Sequence, residues 1–182
     1  MRIKLVITIF FVVNLNVYSQ HSKKFIELTK TIKPIDSIIK TKNYSNGKTK
    51  KVSKFLVYEY GEYSYNILSG NQQIFNKTGE LFFEQSYDNF GNLLYQKQFN
   101  KSGDVYKIIE TSRIDLMDNI TIEQILNSSK DISIESVERE FNQSEKEGKL
   151  KLWKEGKRLN GKKIGQWKTY NLCDNTFKIK NY

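Results

Sequence analysis

Few residues of this 182-residue chain are of types that do chemistry, and their spacing limits what that chemistry can be. His21 is the sole histidine and Cys173 the sole cysteine. A Ser-His-Asp or Cys-His centre would have to recruit a residue close to the N-terminus, and a structural zinc site lacks its donors. The ten glycines form neither a phosphate-cradling loop with Gly-Lys-Ser/Thr nor a dinucleotide fingerprint, so no cofactor and no metal is expected. Glu59, Glu62, Glu80, Glu84 and Asp88 leave room for a carboxylate pair, which glycoside hydrolysis needs roughly 5 to 9.5 Å apart across a groove. On alternating strands the same residues instead occupy a solvent face opposite Lys or Tyr. The chain is therefore read as non-enzymatic, with a carbohydrate-active enzyme using paired carboxylates as the alternative.

Charge points to a binding surface. Residues 149 to 168 contain Lys149, Lys151, Lys154, Lys157, Arg158, Lys162, Lys163 and Lys168 against the single acid Glu155, and residues 40 to 54 carry six lysines and no acid. Between them, residues 59 to 147 hold sixteen acids and eight bases. A chain that is basic at both ends and acidic in the middle is more structured in charge than solvation requires. Lys154, Lys157, Arg158, Lys162, Lys163 and Lys168 are the candidate binding residues, expected to share one cationic face, joined by Lys48, Lys50 and Lys51 if the two basic segments stack.

Residues 1–19 decide which anion such a face meets. Arg2 and Lys4 precede the apolar run Leu5–Val17, and Val17-Tyr18-Ser19 ends it. This is the pattern of a secretory leader, too short for the ~20 residues of a membrane span. Secreted or periplasmic export removes nucleic acid from the partners and leaves an anionic envelope polymer, a lipid or an acidic protein. The formal charge of +10 includes only Arg2 and Lys4 from the leader, so the mature chain stays basic. Its lone cysteine allows no internal disulfide.

The elements that position these residues are announced by a repeat. Phe75-Asn76, Tyr87-Asp88 and Phe99-Asn100 stand twelve residues apart, each followed by a glycine: Gly79, Gly91 and Gly103. Asn or Asp at the first turn position bonds nearby backbone, and Gly accepts the positive φ of a following bulge. A twelve-residue period leaves about eight residues between turns, the length of a strand. Residues 55 to 110 are thus expected to form an antiparallel meander. Phe75, Tyr87, Phe99, Trp167 and Tyr170 are expected to pack inward, while Tyr63, Tyr65 and Tyr95 serve as exposed platforms.

A longer frame encloses the turns. Gly61, Tyr63, Asn66, Gly70, Gln72, Phe75, Gly79 and Leu81 recur ninety-five residues later as Gly156, Arg158, Gly161, Gly165, Trp167, Tyr170, Asp174 and Thr176. With "YSNGK" (44 to 48) and "NGKKIGQWKTY" (160 to 170), these positions resemble the MORN-variant repeats of bacterial proteins, some relatives of which are antitoxin-like binders. The resemblance implies stacked β-hairpins, with Gly161, Gly165, Trp167 and Tyr170 as structural repeat positions. Arg158 and Asn66 depart from it, as does Gln72, which stands where the repeat carries Trp.

Residues 121 to 147 read differently. Thr121 and Gln124 make a capping box, and Ile134, Val137 and Phe141 fall at helical spacing before Gly148, which predicts one or two short helices. A weaker helical pattern at Phe25, Leu28 and Ile32 ends near Pro34. The expected organisation is a leader (1–19), a lead-in segment (20–54), a meander block (55–110), a helical or mixed insertion (111–148) and a C-terminal repeat (149–182). The fold class is mainly β, an antiparallel hairpin and meander sheet with one or two short helices between the repeat blocks.

Overall fold

The structure is a computed structural model that describes residues 20–117, 119–127, 131–145, 147–174 and 176–182. The leader expected over 1–19 lies outside the described residues. After α1 (Lys23–Thr29), the chain forms β1 (Asp36–Asn43), β2 (Thr49–Tyr60), β3 (Tyr63–Phe75), β4 (Leu81–Tyr87), β5 (Leu93–Phe99) and β6 (Val105–Leu116). Then come α2 (Ile122–Leu126), β7 (Ile132–Gln143), β8 (Leu150–Leu159), β9 (Lys162–Tyr170) and β10 (Phe177–Asn181). All ten strands belong to one sheet in chain order. Every neighbouring pair is antiparallel.

The twelve-residue turns are built as the sequence predicts. Asn76 Oδ1 accepts the backbone N–H groups of Thr78, Gly79 and Glu80, and the turn closes with Asn76 N–H donating to the Glu80 carbonyl and Gly79 N–H to that of Asn76. Asp88 and Asn100 repeat the arrangement. Each turn follows a register shift at its aromatic, and its glycine takes a φ that only glycine adopts freely: +96°, +85° and +82°.

The sheet extends well beyond the expected meander. β1 and half of β2 come from the lead-in segment, and β2 and β6 run unbroken through the boundaries at 54/55 and 110/111. Of the helices expected over 121 to 147, the capping box on Thr121 starts the five-residue α2, but Ile132–Gln143 is strand β7. There the period is two: Ile132, Ser136 and Glu138 are buried on one side. Pairing with β6 and β8 on both flanks satisfies the backbone of this β-branched stretch and overrides the helical spacing of Ile134, Val137 and Phe141.

Among the described residues, one end of one face has a second layer. Phe25 of α1 and Ile125 of α2 pack with Ile114, Leu116 and Ile132, and Leu126 packs with Leu56, Tyr58 and Ile67. Phe90, from the middle twelve-residue turn, touches both clusters and lies 5.6 Å from the Phe25 ring and 5.9 Å from that of Tyr58. The N-terminal segment is tied down here. His21 bridges to Ile114 and its Nε2 lies 2.7 Å from the buried Asp88 carboxylate. Although it lies near the N-terminus, this histidine is thus held in place. β5 is half-buried along its whole length, and away from this end it has no second layer over either face among the described residues.

Candidate binding surface on the last three strands

The hairpin β8–β9 is closed by Asn160 and Gly161, both at positive φ, the backbone of the tight two-residue hairpin turn. Asn160 also secures the turn to β7, donating its N–H to Ile134 O and accepting from Ile134 N–H. Five residues on, Gly165 (φ +59°) opens a bulge. β9 advances from Ile164 to Lys168 while β8 advances only from Lys157 to Glu155. The bulge turns Trp167 onto the opposite strand, where its indole lies flat over Gly156. A Cβ on Gly156 would stand 2.3 Å from the ring, so only glycine fits. The indole N–H donates to Lys157 O at 3.0 Å, and Trp167 is 1% exposed. The Gly165 carbonyl, released by the bulge, accepts the N–H of Tyr182, whose ring meets Trp167 edge-on at 6.1 Å.

Cations gather on these two rings. Lys163 Nζ is 4.2 Å from the Trp167 centroid, Arg158 Cζ 5.5 Å and Lys154 Nζ 5.9 Å. Lys163 and Lys180 lie 5.3 and 4.8 Å from the Tyr182 ring. The negative face of each ring attracts them. Burial pushes the Lys163 pKa below its ordinary value, and the charges of Lys154 and Arg158 add to this, with Tyr182 opposing.

Cross-strand pairing separates the six candidate cations. Arg158 is opposite Lys163 and Lys154 opposite Thr169, all on the Trp167 face, whereas Lys157 is opposite Ile164, Leu159 opposite Lys162 and Glu155 opposite Lys168 on the other. The expected single cationic face is thus two faces of three. Among the described residues, two of the six have carboxylate partners. Lys157 pairs with Glu135 at 2.9 Å, and Arg158 grips the buried Glu138 through Nε and Nη2 at 2.9 and 3.0 Å. Lys107 joins Glu138 from β6, also at 2.9 Å. Burial works to raise the Glu138 pKa, but hydrogen bonds and charge from Arg158 and Lys107 prevail and hold it below its ordinary value. Tyr170 faces away from Trp167 and is only half-buried, donating its hydroxyl to Glu155, which corrects the expectation that both aromatics pack inward.

Other expected sites are dispersed. Lys48, Lys50 and Lys51 lie on the β1–β2 hairpin, and because strand order follows chain order, β2 is six strands from β8, about 29 Å. At a screening length of ~8 Å the two basic regions act independently. Glu80 and Asp88 flank opposite ends of β4, where each is bound to its own turn, and Glu59 and Glu62 border the exposed turn at Gly61. Tyr63 is an exposed platform, while Tyr65 and Tyr95 are half-buried. Among the described residues no group of three or more His, Cys, Asp or Glu could hold a metal ion, and no helix is long and apolar enough to cross a membrane.

No family model matches the sequence, and no curated protein matches it. Among solved structures, the chain is similar to the crystal structure of a protein of unknown function from Bacteroides fragilis, with 11% identity over 80% of this chain and 89% of that one. The TM-score is 0.25, too low to inform fold or function.

Proposed function

We propose that the protein is an exported, non-enzymatic MORN-variant repeat protein that serves as an interaction module at the cell envelope, binding an anionic polymer, lipid or acidic protein through the Trp167 face of β8–β10. One observation supports the reading above others. Lys154, Lys163 and Lys180 are collected around two aromatic rings with no carboxylate in ion-pair contact among the described residues, while neighbouring Lys157 and Arg158 are neutralised. Holding unpaired ammonium groups together is costly, and a bound anion relieves that repulsion. The residues of the site are therefore Lys154, Lys163 and Lys180, with Arg158 positioned by Glu138 at its border.

The test compares faces. Lys154→Gln with Lys163→Gln should weaken binding to an anionic envelope fraction about tenfold, and the wild-type interaction should fade as salt rises. Lys162→Gln with Lys168→Gln, on the opposite face, should leave it unchanged. Equal loss from both pairs, or indifference to salt, would sink the assignment. Mass spectrometry of exported protein should find a mature terminus near Gln20, and an intact Met1 in cytosolic protein would remove the envelope from the reading.

A further inference from the structure

The turns at 44–48, 76–80 and 100–104 share the end of the sheet opposite the helices, because successive hairpin turns alternate between ends. Two twelve-residue periods therefore superpose like residues on this end: Phe75 with Phe99, Asn76 with Asn100, Lys77 with Lys101. Between them is a hollow of about 550 Å³, within the ~300–1,000 Å³ usual for small-molecule sites. Its walls are mainly carbon, from Phe75, Leu81, Phe82, Phe99 and Tyr106 with Tyr44 at one side. Phe82 and Tyr106 are the unpaired residues of matching register shifts, on the strands either side of β5, and both line the hollow. Phe82 is 39% exposed although it stands edge-on to Phe83 at 4.4 Å, so a large apolar side chain is left uncovered beside the cavity.

The polar groups around the hollow are of two kinds. Those of the wall are spent on the protein itself. Asn76 and Asn100 bond their own turns, and Tyr44 donates its hydroxyl to Phe75 O at 2.7 Å. Glu80 is held by Asn76 and Thr78, and hydrogen bonds from these two lower its pKa. A sugar, which needs donors and acceptors from the wall, finds few of them. The exposed side chains of Lys77 and Lys101 also line the hollow and are different: neither has a carboxylate within ion-pair distance among the described residues, though the Lys101 charge helps lower the Glu80 pKa from farther off. Carbon walls below two ammonium groups match an apolar chain ending in an anion.

We propose that this hollow binds a long-chain carboxylate, with the acyl chain against Phe75, Phe82, Phe99 and Leu81 and the carboxylate between Lys77 and Lys101. The site is separate from the Trp167 face and does not depend on it. A fluorescent long-chain fatty acid, used below its micellar concentration, is the probe, and dodecanoate is the competitor. Saturable binding of one equivalent is expected, reversed by dodecanoate and about tenfold less well by dodecanol. Phe82→Gln, at an exposed position that spares the fold, should weaken dodecanoate about tenfold. Lys77→Gln with Lys101→Gln should abolish the preference for carboxylate over alcohol. Lys154→Gln with Lys163→Gln should change nothing here, so failure at this site is distinguishable from failure at the other. Absence of saturable binding, wild-type affinity in Phe82→Gln, or loss of binding in the Lys154/Lys163 variant would each overturn the proposal.

Discussion

Hairpins β2–β3 and β8–β9 contain the same device with different fillings. Each has a glycine in the left-handed region, Gly70 at φ +63° and Gly165 at φ +59°, and each long strand carries two residues more than its partner at the bulge. Each buries the side chain two positions later, Gln72 at 2% exposure and Trp167 at 1%. At Trp167 the filling is complete, with the indole on Gly156 and its N–H satisfied. At Gln72 it is not. Ser53 stands opposite in place of a glycine, and both Ser53 Oγ and Gln72 Nε2 are buried without a hydrogen-bond partner among the described residues. Backbone chemistry alone therefore sets the bulge, and the aromatic determines how much stability it returns.

The largest way to break this comparison is to empty the better-filled site. Trp167→Ala should cost about 3–5 kcal/mol in urea unfolding, the range for deleting a buried large aromatic, and should also disperse Lys154 and Lys163. Gln72→Ala, at the matching place, should cost less than about 1.5 kcal/mol, because it removes an unsatisfied donor together with its packing. Next in size is Gly156→Ala, whose methyl group overlaps the indole: a loss of about 3 kcal/mol is expected, against near-neutrality for Ser53→Ala. Similar losses at both places would show that the aromatic is not what separates the two hairpins.

Acid sharpens the contrast because only β8–β9 is keyed to a buried carboxylate. The Glu138 pKa is lower in the folded than in the unfolded chain, so its contribution is full above the ordinary glutamate range and is lost as pH falls through the folded value. Thermal unfolding followed from neutral pH to below pH ~4 should show this loss. Glu138→Gln should be less stable at neutral pH by about 2 kcal/mol and flatter in acid. A variant whose acid limb equals wild type would assign that limb to other carboxylates. The smallest change expected is a gain. Gln72→Met should raise stability by about 0.5–1 kcal/mol by replacing an orphaned amide with apolar volume.

The sequence exposed much of this architecture because the turns are local. Asn76, Asp88 and Asn100 each satisfy their own backbone, so spacing alone placed three hairpins. Less local features were hidden. Equal spacing suggested that Gly61 and Gly156 are equivalent, yet Gly61 makes a tight turn whereas Gly156 is inside a strand beneath an indole, and the second tight turn is at Asn160–Gly161. Phe90 could have been noticed, since Thr78 and Ser102 occupy the same turn position: an apolar residue there marks the turn that faces the helices. The division of the cations followed from alternation once β8 and β9 were paired, since Lys157 and Arg158 are adjacent and must point apart. Which of them meets Glu138 depended on β7, a strand whose helical spacing concealed it.

Strand order that follows chain order also governs how the molecule answers to force. The first and last strands form opposite edges of the sheet, and inter-strand hydrogen bonds lie perpendicular to the strands. Tension drawn across those edges loads one hydrogen-bonded row at a time, so the sheet unzips from its rims in strand-sized steps instead of failing in a single shear. The N-terminal segment interrupts that sequence. Bound through Gln20, His21 and Ser22 to β6, in the middle of the sheet, it carries a pull from the N-terminus past β1 to the centre. A pull on that side must first tear this anchorage away, whereas β10, with nothing across it among the described residues, peels at once.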